Sequence, residues 1–92
     1  MRVTRSRGDR ARLDEVQTLV PEIAAAVRQL PGCQSYIVGV DRAAGTALSV
    51  STWDTEEHAR WTGDRLGDLP SRLQALGVQL DPPEFLEVAN PA

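Results

Sequence analysis

Residues 31–59, PGCQSYIVGVDRAAGTALSVSTWDTEEHA, constrain the fold of this chain more than any other segment. From Gln34 to Val40, Tyr36, Val38 and Val40 fall on one face and Cys33, Ser35, Ile37 and Gly39 on the other. From Thr46 to Trp53, Leu48, Val50 and Thr52 oppose Ala47, Ser49, Ser51 and Trp53. A period of two over both stretches predicts a pair of strands. The five-residue connector Asp41–Gly45 predicts a hairpin loop whose glycine takes the positive-φ position closing onto the second strand. Asp54 then predicts a helix cap, with Glu57 three residues on able to answer it.

On the N-terminal side, Leu13, Val16, Val20, Ile23, Val27 and Leu30 recur in steps of three and four. That spacing draws one apolar stripe along a helix, which needs a flat partner. Asp9 is its predicted cap, Pro31-Gly32 its end, and Pro21 is expected to kink or restart it near Val20. Before it, residues 2–7, RVTRSR, read as a first strand. After Trp53, Ala59, Leu66, Leu69, Leu73 and Leu76 continue a helical stripe that Gly63 and Pro70 interrupt. Two or three helical pieces ending at Gly77 follow from this. Asp81-Pro82-Pro83 reads as an extended linker and Glu84–Ala89 as a last edge strand.

The order is therefore β-α-β-β-α-β in a single domain over residues 1–92. It predicts an α+β, ferredoxin-like fold: an antiparallel four-stranded sheet with both helices on one face. A chain of 92 residues buries only about 60% of its unfolded surface. Cys33, the only cysteine, can make no disulfide within the chain. Additional burial between subunits is the remaining route to stability, so a homodimer through the open sheet face is expected, closing an α/β barrel.

Several function classes are disfavoured. A net charge of −3 does not suit general nucleic-acid binding, which needs a basic face. Neither a phosphate-binding glycine loop nor a pair of ligands at metal spacing occurs, so no cofactor and no metal are expected. The polar stretch after Met1 lacks the apolar core of a signal peptide. The expectation is a soluble, cytoplasmic protein with no membrane partner.

The segments VDRAAGTALSVSTW and DTEEHA, with LPG before them and PPEFLEV near the end, resemble antibiotic biosynthesis monooxygenase domains of the dimeric α/β-barrel superfamily. The similarity runs from about Val3 to Val88. It implies a pocket between sheet and helices, with Trp53 at the position of a strand-end tryptophan beside that pocket. It also implies one of several activities: cofactor-free oxygenation of aromatic polyketides, haem degradation, or none. Haem-degrading relatives carry an asparagine on the first strand and a histidine about ten residues past the tryptophan. Here RVTRSR has no asparagine and the tenth residue is Gly63, which opposes haem breakdown. Cofactor-free relatives use Asn, Trp and Tyr side chains on a phenolic substrate, and only the Trp has a clear counterpart.

Candidate residues follow, each with a plainer alternative. Trp53 shares a face with Ala47, Ser49 and Ser51, small side chains that leave room for an aromatic ligand, or room that the indole itself fills. His58 is the side chain able to titrate near neutrality and is the candidate general base, or simply a solvated helix residue. Trp61, three residues on, either joins that face or makes a subunit contact. Tyr36 offers a phenol to a pocket, or packs in the core or interface. Arg5 and Arg7 either line a polar cavity fit for an anionic substrate or pair with Glu84 or Glu87 at the rim. The leading expectation is a cofactor-independent monooxygenase binding a small aromatic molecule. The alternative is a non-catalytic dimeric module, with haem degradation third.

Overall fold

The computed structural model describes residues 1–90, so the last two positions of the expected domain lie outside the described residues. Strand β1 (Arg2–Arg7) is central, because both of its edges are paired. On one side it runs antiparallel to β3 (Thr46–Trp53), with Val3 opposite Val50 and Arg5 opposite Leu48. β3 in turn pairs antiparallel with β2 (Cys33–Asp41), giving the order β2-β3-β1 followed by β4 (Gln79–Leu80) at the far edge. This is the ferredoxin-like arrangement that the alternation of strands and helices predicts.

The far edge is built differently from the expected single strand over residues 84–89. Two short strands, β4 (Gln79–Leu80) and β5 (Glu84–Phe85), both pair with β1. Between them the Asp81 N–H donates to the Arg5 carbonyl at 2.9 Å, so the Asp81-Pro82-Pro83 segment stays against the sheet. The register moves by one residue across it, as in a bulge, which is where an edge strand tolerates prolines that cannot donate.

The hairpin matches its sequence reading. Gly45, at φ 72°, donates its N–H to the Asp41 carbonyl at 2.9 Å and accepts from the Gly8 N–H at 2.9 Å. It thus closes the loop and ties it to the end of β1. Helix α1 (Leu13–Arg28) is continuous through Pro21, so of the expected kink or restart the restart does not occur. Pro21 is solvent-exposed, where water can satisfy the Gln17 carbonyl that loses its partner. Asp9 accepts from the Ala11 N–H at 2.9 Å and opens the short 3-10 turn leading into α1, as expected of a cap.

After β3 the helical region falls into three pieces: α2 (Glu56–Ala59), a 3-10 turn at Gly63–Leu66, and α3 (Leu69–Ala75). The cap of α2 is Thr55, whose hydroxyl accepts from the His58 N–H at 3.1 Å, and not Asp54 as expected. Asp54 is diverted because its carboxylate bonds the His58 ring. Helix α1 contacts both β2 and α3. Its apolar surface is correspondingly wider than the predicted stripe, and Leu19, outside that stripe, is buried, as are Val27 and Leu69.

All helices cover one face of the sheet. The opposite face presents Leu48, Val50 and Ile37, the last 69% exposed, flanked by the ion pairs Arg5–Glu84 and Arg7–Asp81. No helix among the described residues is long and apolar enough to cross a membrane.

Candidate functional site

The cross-strand registers on the helix-covered face put small side chains at its centre. Arg2, Ser51 and Tyr36 form one row across β1, β3 and β2; Thr4, Ser49 and Val38 form the next; Ser6, Ala47 and Val40 the third. Two of the three β3 positions are serines and the third is alanine. The helices meet this floor with Val16, Val20, Ile23 and Val27 of α1 and Leu69 and Leu73 of α3. Branched roof residues over the small Ser and Ala side chains of β3 leave a gap. The result is a chamber of about 290 Å³, apolar along most of its wall.

Polar groups stand at both ends of it: Arg2, Tyr36 and Trp61 where β1 begins, and Arg7, Asp9 and Asp81 where β1 ends. The Arg2 guanidinium lies 3.8 Å from the centre of the Trp61 ring and 5.6 Å from that of Phe85. Its Nη1 donates to the carbonyls of Ala59 (3.1 Å) and Trp61, which fixes the loop after α2 over this end of the sheet. Desolvation holds the Arg2 pKa below its ordinary value, partly offset by the neighbouring Tyr36. Burial pushes the Tyr36 phenol above its ordinary value, against the pull of the Ser49 hydroxyl and the Arg2 and Arg28 charges. At neutral pH Tyr36 is therefore a protonated donor and no base.

Of the residues singled out from the sequence, Tyr36, Ser49, Ser51 and Trp61 line this chamber together. Trp53 stands behind Trp61, with ring centres 6.3 Å apart and planes tilted by 47°. Its indole N–H donates to the buried Ser51 hydroxyl at 2.8 Å, so it props the chamber wall and is itself satisfied. Arg5 turns to the other face of the sheet, 3.9 Å from Glu84. His58 sits outside the chamber lining. Its Nδ1 is 2.6 Å from the Asp54 carboxylate, and the two pack on Gly32, where at φ 80° any Cβ would overlap both. Arg2 escaped the sequence reading. The signal was its alternation with Thr4 and Ser6 on one face of β1, which places it opposite Ser51.

The Asp54–His58 pair has a measurable consequence. The hydrogen bond from His58 is the first cause holding the Asp54 carboxyl below its ordinary value. A depressed carboxyl contributes stability that is complete above its unfolded pKa, about 3.9, and is lost as pH falls through the folded value. Asp54→Asn should therefore flatten the acid limb of the melting temperature against pH below about pH 5. Superimposable acid limbs for the two proteins would contradict the pairing.

The model of the family described as antibiotic biosynthesis monooxygenase matches residues 1–64, which include β1, α1, the hairpin and α2. No curated protein matches the chain. Among solved structures, a candidate antibiotic biosynthesis monooxygenase from Deinococcus radiodurans superposes with a TM-score of 0.67 at 20% identity. That match covers 100% of this chain and 98% of the other. SnoaB, a cofactor-independent oxygenase from Streptomyces nogalater solved as a mutant, gives 0.67 at 16% identity over 99% and 95%. Rv0793 from Mycobacterium tuberculosis gives 0.67 at 13% identity over 97% and 96%. Likeness at such identities speaks for a shared fold, and the family rests on the sequence model spanning more than half of the chain. With its ferredoxin-like sheet and the matched strand-helix-hairpin core, the chain belongs to the antibiotic biosynthesis monooxygenase family.

Proposed function

We propose that this chain is a cytoplasmic homodimer that binds a small aromatic molecule between its sheet and helices and oxygenates it without a cofactor. The observation that carries the reading is the chamber itself, about 290 Å³ and apolar along most of its wall. An apolar cavity of about 150 Å³ takes benzene, so this one suits about two fused rings. Membership of the family and the likeness to a cofactor-independent oxygenase support this type of reaction. A phenol such as 1-naphthol loses its proton to water, and the electron-rich anion then gives electrons to dioxygen at the para carbon. One oxygen atom enters the ring to give 1,4-naphthoquinone, the other leaves as water, and the ring supplies all four electrons. The apolar walls limit the solvent that reaches the reactive anion. The open sheet face, with Ile37 exposed at 69%, is the surface through which two copies would meet.

Oxygen uptake with 1-naphthol, followed together with quinone absorbance, tests this. The expected result is one dioxygen per quinone, a loss of at least tenfold in Tyr36→Phe, and no loss in His58→Ala, whose ring lies outside the chamber lining. Uptake no faster than buffer alone would remove the oxygenase reading. A second reading, ligand binding without catalysis, is favoured by one observation: Tyr36 keeps its proton and Arg2 cannot act as a base, so the enclosed end holds no proton acceptor. Binding of 1-naphthol with no uptake would decide for it.

A further inference from the structure

The two ends of the chamber are not equally closed. Where β1 begins, Ser51 and Ala59 are each 3% exposed, and Arg2 clamps the loop after α2 by donating to the Ala59 carbonyl at 3.1 Å. Arg2 Nε and Trp61 Nε1 are sealed from solvent there. Among the lining residues, those that are exposed stand, Gly63 apart, at the other end: Arg7, Asp9, Thr46 and Leu80. Leu80 locates the opening. Its pairing with Ser6 puts it on the helix-covered face, where it lines the chamber, and yet it is 53% exposed.

The segment that carries Leu80 is lightly held. β4 faces β1 at two positions, against six for β3. Asp81 adds its N–H to the Arg5 carbonyl at 2.9 Å and its carboxylate to Arg7 at 3.2 Å, and Gln79 accepts from Arg7 Nε at 3.4 Å. The Arg7 and Asp81 side chains are 62% and 39% exposed, so water competes for that ion pair. Pro82 and Pro83 bring no donor to the ladder. On either side the chain is anchored again: the Val78 N–H donates to the Leu73 carbonyl at the end of α3 at 3.1 Å, and β5 pairs with β1. A short run with few, solvent-exposed bonds between two fixed points opens locally at much lower free energy than the core.

We propose that residues 79–83 form a flap over the mouth of the chamber, latched by the Arg7–Asp81 ion pair. This rests on the reading of the chamber as the binding site. The flap opens when β4 leaves β1 and the latch parts, and it closes with Leu80 over whatever the chamber holds. A device of this kind sets the rates of entry and exit. Because the latch is made in the filled and the empty chamber alike, loosening it speeds both rates and leaves the affinity near its original value. The end at Arg2 and Trp61 stays shut throughout.

The test fastens the flap. Arg7 and Gln79 stand opposite one another on β1 and β4, so Arg7→Cys with Gln79→Cys, in a Cys33→Ser background of the full chain, allows a disulfide between the strands. Stopped-flow quenching of tryptophan fluorescence by 1-naphthol compares the oxidised with the reduced form. Association is expected to be at least tenfold slower in the oxidised form and to recover on reduction. Asp81→Asn, which removes the charge at nearly constant size, should raise association and dissociation together, at least threefold, with Kd within twofold of wild type. Equal rates in the oxidised and reduced forms overturn the flap while leaving the chamber as the site. Unchanged rates in Asp81→Asn, or a rise in dissociation alone, do the same. Absence of 1-naphthol binding in every form overturns the chamber reading and the flap with it. Should the cross-linked variant fail to fold, Asp81→Asn decides together with amide exchange of the unliganded wild type. There the Asp81 N–H should exchange at least a hundredfold faster than the amides joining β3 to β1, and equal protection overturns the flap.

Discussion

Ser49→Phe is expected to abolish binding of two-ring aromatics, by at least a hundredfold, while raising the melting temperature. Ser49 is in the middle row of the chamber floor, between Thr4 of β1 and Val38 of β2. A phenyl ring there takes the space of a benzene, about half of what the chamber offers if about 150 Å³ accommodates one. Ordinarily a small-to-large change in a packed core costs about 1–3 kcal/mol. Here the volume is already open, and cavity filling of this kind commonly yields about 0.5–2 kcal/mol. The opposite signs of the two effects make the result diagnostic, because a substitution that merely damages the fold lowers stability and binding together. Calorimetric titration with 1-naphthol and a thermal melt suffice. Undiminished binding would mean that the ligand sits elsewhere.

Ile37→Asp is the second large effect and concerns assembly. Ile37 is the most exposed large apolar side chain, and it stands opposite Val50 on the sheet face that no helix covers. A stable pairing of subunits buries about 800 Å² on each partner, and its centre is poor in charge. An aspartate placed there by each subunit across a twofold axis puts two carboxylates near one another in a desolvated setting. Breaking an interface with an unpaired buried charge costs about 3–5 kcal/mol, which at about 1.4 kcal/mol per tenfold is a loss of more than a hundredfold in dimer affinity. Sedimentation velocity at micromolar concentration should show the variant as a monomer and the wild type as a dimer. A monomeric wild type, or a variant that stays dimeric, contradicts assembly through this face.

How much of this was legible in the sequence depended on whether local chemistry or distant partners decide each element. The hairpin was legible because its alternation and Gly45 are local: the pleat and a positive φ of 72° ask for those residues at those places. The edge was not. β4 and β5 are two residues each, too short to show a period, and they exist because β1 offers them its free edge. The cap of α2 shifted by one residue for a similar reason, since Asp54 is drawn to a histidine ring four residues away. Within the site, Ser49 and Ser51 were legible as small residues on the face of β3 that looks toward the helices. Arg2 was hidden because a charged residue opening a strand reads as a solvated end. Its role depends on Trp61, brought over it from 59 positions away by the loop after α2.

The measurement that bears most directly on the central claim is a two-dimensional NMR titration of the 15N-labelled protein with 1-naphthol. Binding inside the chamber should move the indole resonance of Trp61 and the amides of Tyr36, Ser49 and Ser51, leaving Ile37, Leu48 and His58 in place. Shifts confined to Ile37 and Leu48, or to the Asp54–His58 pair, would contradict it.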